Sequence, residues 1–149
     1  EVILNLVREL HQETISPSIK SLVAEVDNQV IGYVSFSPIF LKSDSSIVGY
    51  TLAPLAVSPE HQKRGVGSNL IKSGIDMLTK DGVGVLLVYG DPAYYGRFGF
   101  KEKIGHSFVP PYTLQYPFGW TGMMLNDTPV PEQPIQFECV AALSKPDLW

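Results

Sequence analysis

The six residues Gln62-Lys63-Arg64-Gly65-Val66-Gly67 constrain this chain more than any other stretch. Ahead of them, Tyr50 to Val57 is apolar and rich in strand formers, and Ser58-Pro59-Glu60-His61 breaks that strand with turn chemistry. Behind them, Gly67, Leu70, Ile71, Gly74, Ile75 and Leu78 recur at helical spacing, which predicts a helix with one buried face. Strand, basic glycine-containing turn, helix: that order aims free backbone N–H groups and a positive helix end at one point, which suits a phosphate. Gly65 and Gly67 permit φ > 0 and a close approach of ligand to backbone, while Lys63 and Arg64 add countercharge. An ordinary strand-to-helix turn with solvated basic residues would read the same way. The Walker pattern is excluded, because no Gly-Lys-Ser/Thr closes the loop, and Leu70 stands where a dinucleotide fingerprint needs its last glycine.

With its context the run resembles the acyl-CoA-binding motif of the GCN5-related N-acetyltransferases, the GNAT family. There a strand ending in Ala-Val or a similar pair leads into Q/R-x-x-G-x-G/A and a long helix, as Leu55-Ala56-Val57 leads here into Gln62 to Gly67. A second match is Asp91-Pro92-Ala93-Tyr94-Tyr95-Gly96-Arg97-Phe98-Gly99-Phe100, similar to the short helix ending in Tyr-x-x-x-Gly-Phe of a bacterial subgroup. The resemblance covers most of the chain from Ser21 to about Lys103 and thins out after that.

One domain spanning residues 1–149 is expected, large enough to bury a proper core. A net charge of −4 gives no electrostatic support to a nucleic-acid partner. The single Cys139 forms no internal disulfide, which fits a reducing compartment. No apolar run reaches the length of a membrane span and no signal-peptide pattern opens the chain, so no membrane partner is expected and a cytoplasmic location is the default.

Glu1 to Gln12 places Ile3, Leu4, Leu6, Val7 and Leu10 on one side of a predicted helix. Strands follow at 21–26 and 30–36 about a tight Asp27-Asn28-Gln29 hairpin, with Pro38 ending the second or bulging it. Lys42 to Ser46 reads as a polar loop and Ser46 to Val57 as the next antiparallel strand. After the long helix, Asp81-Gly82 is a stop, Val83 to Tyr89 a buried strand, and Asp91-Pro92 the cap of a short helix. Gly122 to Leu125 and Ile135 to Leu143 are the predicted closing strands. The sum is an α/β (α+β) chain: a mixed, mostly antiparallel sheet flanked by helices. The resemblance implies the acyl-CoA N-acyltransferase fold, with the strand that usually precedes the first helix missing here.

The same resemblance implies acetyl-CoA as co-substrate and acetyl transfer to a primary amine of a small molecule or peptide by direct attack on the thioester. An acyl-CoA-binding module without chemistry is the alternative. It implies backbone pairing of Ala56 and Val57 with the pantetheine arm, and a pyrophosphate held by Gln62, Lys63, Arg64, Gly65, Val66, Gly67 and Ser68. The Val57 N–H would be the oxyanion donor and Tyr95 the general acid facing the coenzyme sulfur, its phenol near pKa 10 roughly matching a thiol. Tyr95 could equally be an amphipathic core residue, and Tyr94 reads as packing. No base is legible: His61, His11, His106, Glu138 and Asp44 are all open, as is a water chain. Cys139 reads as core, and no cluster has metal-ligand spacing. Tyr112, Tyr116, Phe118 and Trp120 line an acceptor pocket, pack the last strands, or form a homodimer contact.

Overall fold

The computed structural model of the protein describes residues 2–44 and 46–149. Glu1, at the start of the predicted first helix, and Ser45, in the predicted polar loop, lie outside the described residues.

Helix α1 spans Val2–Gln12 and buries only Leu6 and Leu10. Ile3 and Leu4, expected on the same face, are exposed, so the apolar stripe is narrower than the letters suggest. Strands β1 (Lys20–Val26) and β2 (Gln29–Leu41) form the expected hairpin. Asp27 and Asn28 both take left-handed backbone, at φ 50° and 65°, the combination a two-residue hairpin turn needs to match strand twist. The second strand does not stop at Pro38 but runs on to Leu41. Pro38 sits where β2 has left β1, whose pairing stops at Phe36, and has not yet met β7 (Ile135–Cys139), whose pairing begins at Ile39. A missing N–H on that side interrupts no ladder, which is why a long central strand tolerates proline there.

Strand β3 (Gly49–Val57) runs antiparallel to β2 and leads into α2 (Val66–Lys80), after which β4 (Val85–Tyr89) returns parallel to β3. Then come α3 (Pro92–Tyr95), α4 (Glu102–Gly105), the two-residue β5 (Phe108–Val109) and β6 (Trp120–Met124). The seven strands lie in the order β5-β7-β2-β3-β4-β6, with β1 beside β2. The predicted Ile135–Leu143 strand ends at Cys139, because Ala141–Leu143 turns into a 3₁₀ helix that buries Ala142 and Leu143. Among the described residues no strand precedes α1, and β1 pairs only with β2. The mixed, mostly antiparallel sheet with helices on its faces is the acyl-CoA N-acyltransferase architecture expected from the sequence.

The sheet separates two apolar cores. On the α2 side Val34, Phe36, Leu52, Ile71, Leu86 and Val88 pack together; on the α1 side Leu10, Ile39, Leu87, Trp120, Phe137 and Val140 do. Gly74 on α2 faces a side chain of the sheet with no room to spare: a Cβ there would stand 2.1 Å from the ring of the fully buried Phe36. We expect Gly74→Ala to lose about 1–2 kcal/mol of stability in denaturant titrations, overpacking against Phe36 outweighing the gain in helix propensity. Adding Phe36→Leu should recover part of that loss.

Candidate active site

β3 and β4 pair only from Gly49↔Val85 to Leu52↔Val88, and beyond that point they separate. The separation has a cause in β3: the register between β2 and β3 slips between Val34 and Phe36, so that Val34 meets Leu55 while Phe36 meets Leu52, leaving one extra residue on β3 at Ala53-Pro54. A bulge bends its strand and increases local twist. It turns the end of β3, from Ala53 to Val57, away from β4 and leaves its edge unpaired.

Successive residues of an antiparallel ladder turn their N–H and C=O groups to opposite sides. Ser58 N–H donates to Ile31 O, at 2.7 Å, so Leu55 and Val57 turn their backbone groups to the open edge and Ala56 turns its own to β2. The expectation that Ala56 offers main-chain groups to a ligand does not fit this ladder phase: the groups free at the open edge are those of Leu55 and Val57. Val57 O accepts a 3.1 Å bond from Gln62 Nε2, which ties the turn to the strand end, and the Val57 N–H faces the gap.

A cavity of about 420 Å³ opens along this edge. Leu55 and Val57 form one wall; His61, Gln62, Lys63 and Gly65 form the turn; Val66, Gly67 and Ser68 form the helix end. Lys63 and Gly65 take left-handed backbone, at φ 63° and 82°. The first backbone bond of α2 runs from Asn69 N–H to Gly65 O, and Gly65 has no side chain to cap the groups before it. The N–H groups of Val66, Gly67 and Ser68 therefore converge on the cavity with no partner inside the helix, an anion site by geometry. Arg64 lies exposed on the turn and outside the lining.

The two tyrosines divide their work differently from the expectation. Tyr94, read as packing, lines the cavity together with Arg97, whose guanidinium lies 4.7 Å from the centre of the Tyr94 ring. The Tyr94 hydroxyl stands 2.8 Å from where a Cβ on Gly67 would be, so a side chain there would push that hydroxyl aside. Tyr95 lies one layer deeper, edge-on to Phe100 and over Gly90, the residue that follows β4. It therefore stands beside the end of β4 and is not among the residues that line the cavity. Burial pushes the Tyr95 phenol up to about 12, with Tyr94 and Asp91 adding to the rise, instead of leaving it near a thiol's value.

Of the five groups considered as bases, His61 reaches the cavity wall. His106 pairs with Glu102, Glu138 with Lys42, and the Asp44 carboxylate with Ser46, all on the surface. His11 bonds the Tyr33 hydroxyl at 3.1 Å. Cys139 is a buried core residue whose thiol burial also pushes up to about 12. The aromatic group splits: Trp120 is core and donates to Phe108 O, whereas Tyr116 and Phe118 are each 58% exposed. Among the described residues no group of His, Cys, Asp or Glu could hold a metal, and no helix is long and apolar enough to cross a membrane.

A bulged strand and a helix N-terminus thus flank an open gap between parallel strands. Residues 17–102 match the family model described as an acetyltransferase (GNAT) domain, and the chain belongs to that family. It is 42% identical over 87 residues to the uncharacterized N-acetyltransferase YhbS of Escherichia coli K12, covering 57% of this chain and 51% of that one. It is 36% identical over 107 residues to the uncharacterized N-acetyltransferase YjhQ of the same strain, covering 70% and 59%. The chain thus spans between half and three-fifths of the length of these relatives. Among solved structures, that of Escherichia coli YhbS in complex with CoA superposes with a TM-score of 0.83 at 27% identity, over 97% of this chain and 78% of the other. A GNAT acetyltransferase from Brucella melitensis in complex with acetyl-CoA gives 0.69 at 29% identity, over 93% and 75%.

The Tyr95 shift has a measurable sign. A phenol that ionises near 10 in the unfolded chain and near 12 in the fold leaves stability intact below pH 10 and erodes it as pH rises toward 12. We expect Tyr95→Phe to reduce that alkaline loss by up to about 1.4 kcal/mol per pH unit, read from denaturant midpoints between pH 9 and 12.

Proposed function

We propose that the chain binds acetyl-CoA along the unpaired edge of β3 and transfers the acetyl group to a primary amine of a small molecule or peptide. The observation that carries this reading is the convergence, in one cavity, of the open Leu55–Val57 edge with the unpartnered N–H groups at the start of α2. The pyrophosphate belongs on those N–H groups beside Lys63, and the pantetheine arm pairs with the backbone groups of Leu55 in the manner of an added strand. The thioester carbonyl then lies at the mouth of the gap, where the Val57 N–H supplies the oxyanion donor.

The amine nitrogen attacks that carbonyl directly, the carbon–sulfur bond breaks, and the thiolate takes a proton. Tyr95 beside the end of β4 is the donor in this reading. Its phenol is held well above a thiol's usual range, so it stays protonated until the thiolate forms. Giving up that proton is uphill for Tyr95 alone. It therefore passes a proton on only as the acylated nitrogen loses its own, and does not act as an independent acid.

A silent acyl-CoA-binding module is the second reading. It is favoured by the absence, among the described residues, of a carboxylate or imidazole lining the far side of the gap. Thiol release separates the two: steady production of free coenzyme A on adding amines identifies a transferase, and tight binding without thiol identifies the module. We expect acetyl-CoA to raise the melting temperature while ATP and NAD do not. Tyr95→Phe should lower the maximal rate several-fold at unchanged acetyl-CoA affinity. Gly67→Val, which drives a side chain into Tyr94, should weaken acetyl-CoA binding by about tenfold, or ~1.4 kcal/mol, in calorimetry.

A further inference from the structure

Behind the gap, on the α1 face of the sheet, lies a second cavity of about 100 Å³. The two cavities share no lining residue but neighbour the same strand: Ala53, the first residue past the last β3–β4 pair, lines this one, and Leu55 and Val57 further along line the coenzyme cavity. Its walls are Leu6 of α1, Leu143, Leu148 and Trp149, with Tyr89 at the end of β4. Two hydroxyls touch it and both are engaged: Thr51 Oγ1 donates to Leu87 O at 3.2 Å, and Tyr89 OH accepts from Tyr116 N–H at 2.8 Å. Tyr89 is further fixed by stacking on Trp149, with ring centres 6.0 Å apart. No carboxylate, ammonium, guanidinium or imidazole of the described residues lines the chamber.

We propose that this chamber holds the body of the acceptor and that the acceptor is a small monoamine with an uncharged, apolar body of about four or five heavy atoms. The size follows from the volume, which would hold about three water molecules at liquid density. The class follows from the walls: a second ammonium or a carboxylate at the far end of the substrate would lie against the buried Leu6 and Leu143 with no opposite charge among the lining residues. This inference rests on the acetyltransferase reading above and goes beyond it by naming the substrate class.

The same walls answer the missing base. Desolvation disfavours the charged form of an amine, so an ammonium entering the chamber gives its proton to water at the mouth and reaches the thioester neutral. The nitrogen lone pair forms the C–N bond as the C–S bonding pair leaves with sulfur. The nitrogen's second proton ends on the thiolate, giving amide and free thiol. No side chain need store a proton between turnovers.

Three amines of equal backbone length test the proposal: n-butylamine, putrescine and γ-aminobutyrate, each with saturating acetyl-CoA and thiol release as the readout. We expect kcat/KM for n-butylamine to exceed that for the other two by at least about tenfold. Leu148→Asp places a carboxylate on the wall at a half-buried position that tolerates it, and should reverse the preference toward putrescine while leaving acetyl-CoA affinity unchanged. Independently of turnover, n-butylamine should shift the methyl resonances of Leu6, Leu143 and Leu148 in the acetyl-CoA complex. Thiol release with putrescine or γ-aminobutyrate equal to that with n-butylamine, or a Leu148→Asp variant of unaltered preference, would overturn the substrate class and leave the transferase reading standing. Acetyl-CoA binding with no thiol from any amine and no methyl shifts would overturn both.

Discussion

Everything in the site depends on where the β3–β4 ladder stops. Four residue pairs hold the strands together, from Gly49↔Val85 to Leu52↔Val88, and one surplus residue in β3 ends the pairing. Had the ladder continued, Leu55 and Val57 would have spent their backbone groups on β4, and neither cavity would exist. Unpaired N–H and C=O groups are costly when buried and tolerable when a cavity or a ligand meets them. The edge is kept open by the bulge on one side and by the turn into α3 on the other, where Asp91 accepts from Ala93 N–H and starts the helix away from the sheet. Gln62 then closes the far end by bonding Val57 O. The coenzyme side and the acceptor side are two faces of this single interruption.

The chemistry attributed to the site divides by dielectric. The coenzyme cavity is lined by exposed cations and free amides, suited to a diphosphate that stays in contact with water. The chamber on the other face is walled by leucines and an indole, suited to something that has shed its charge. Tyr95 lines neither cavity; its ring packs edge-on to Phe100 and over Gly90 at the end of β4, and that burial raises its phenol to about 12. In the proposed mechanism, an uncharged acceptor side would leave the Val57 N–H to act on the oxyanion with little competition from fixed charge.

Much of the coenzyme half was legible in the letters because its signals are local. Asp27-Asn28, Gly65 and Asp91-Pro92 each determine backbone within a few residues, and the helical period of α2 is strong. The assignment of the family came from the joint spacing of two motifs, which no single signal would have supported. What failed to show is long-range. Ala56 reads as well as Leu55 until the ladder phase is known, and Tyr94 reads as packing until α3 is placed against Gly67. Pro38 reads as a strand end unless one sees that β1 stops and β7 starts beside it. The acceptor chamber was invisible, since its walls come from residues 6, 53, 89, 143, 148 and 149 with no spacing to join them.

The same contrast bears on how the molecule comes apart. β1, β2, β3 and α2 are consecutive, so the phosphate grip is assembled from neighbours in sequence. The wall of the chamber is stitched from distant parts of the chain: Glu13 accepts from Ala142 N–H across 129 positions, and Lys145 pairs with Glu9 on the surface. Such stitches form late and, being few and partly wet, open first. In the proposed reading, the residues that would choose the substrate therefore sit apart from the coenzyme's seat and can change without disturbing it.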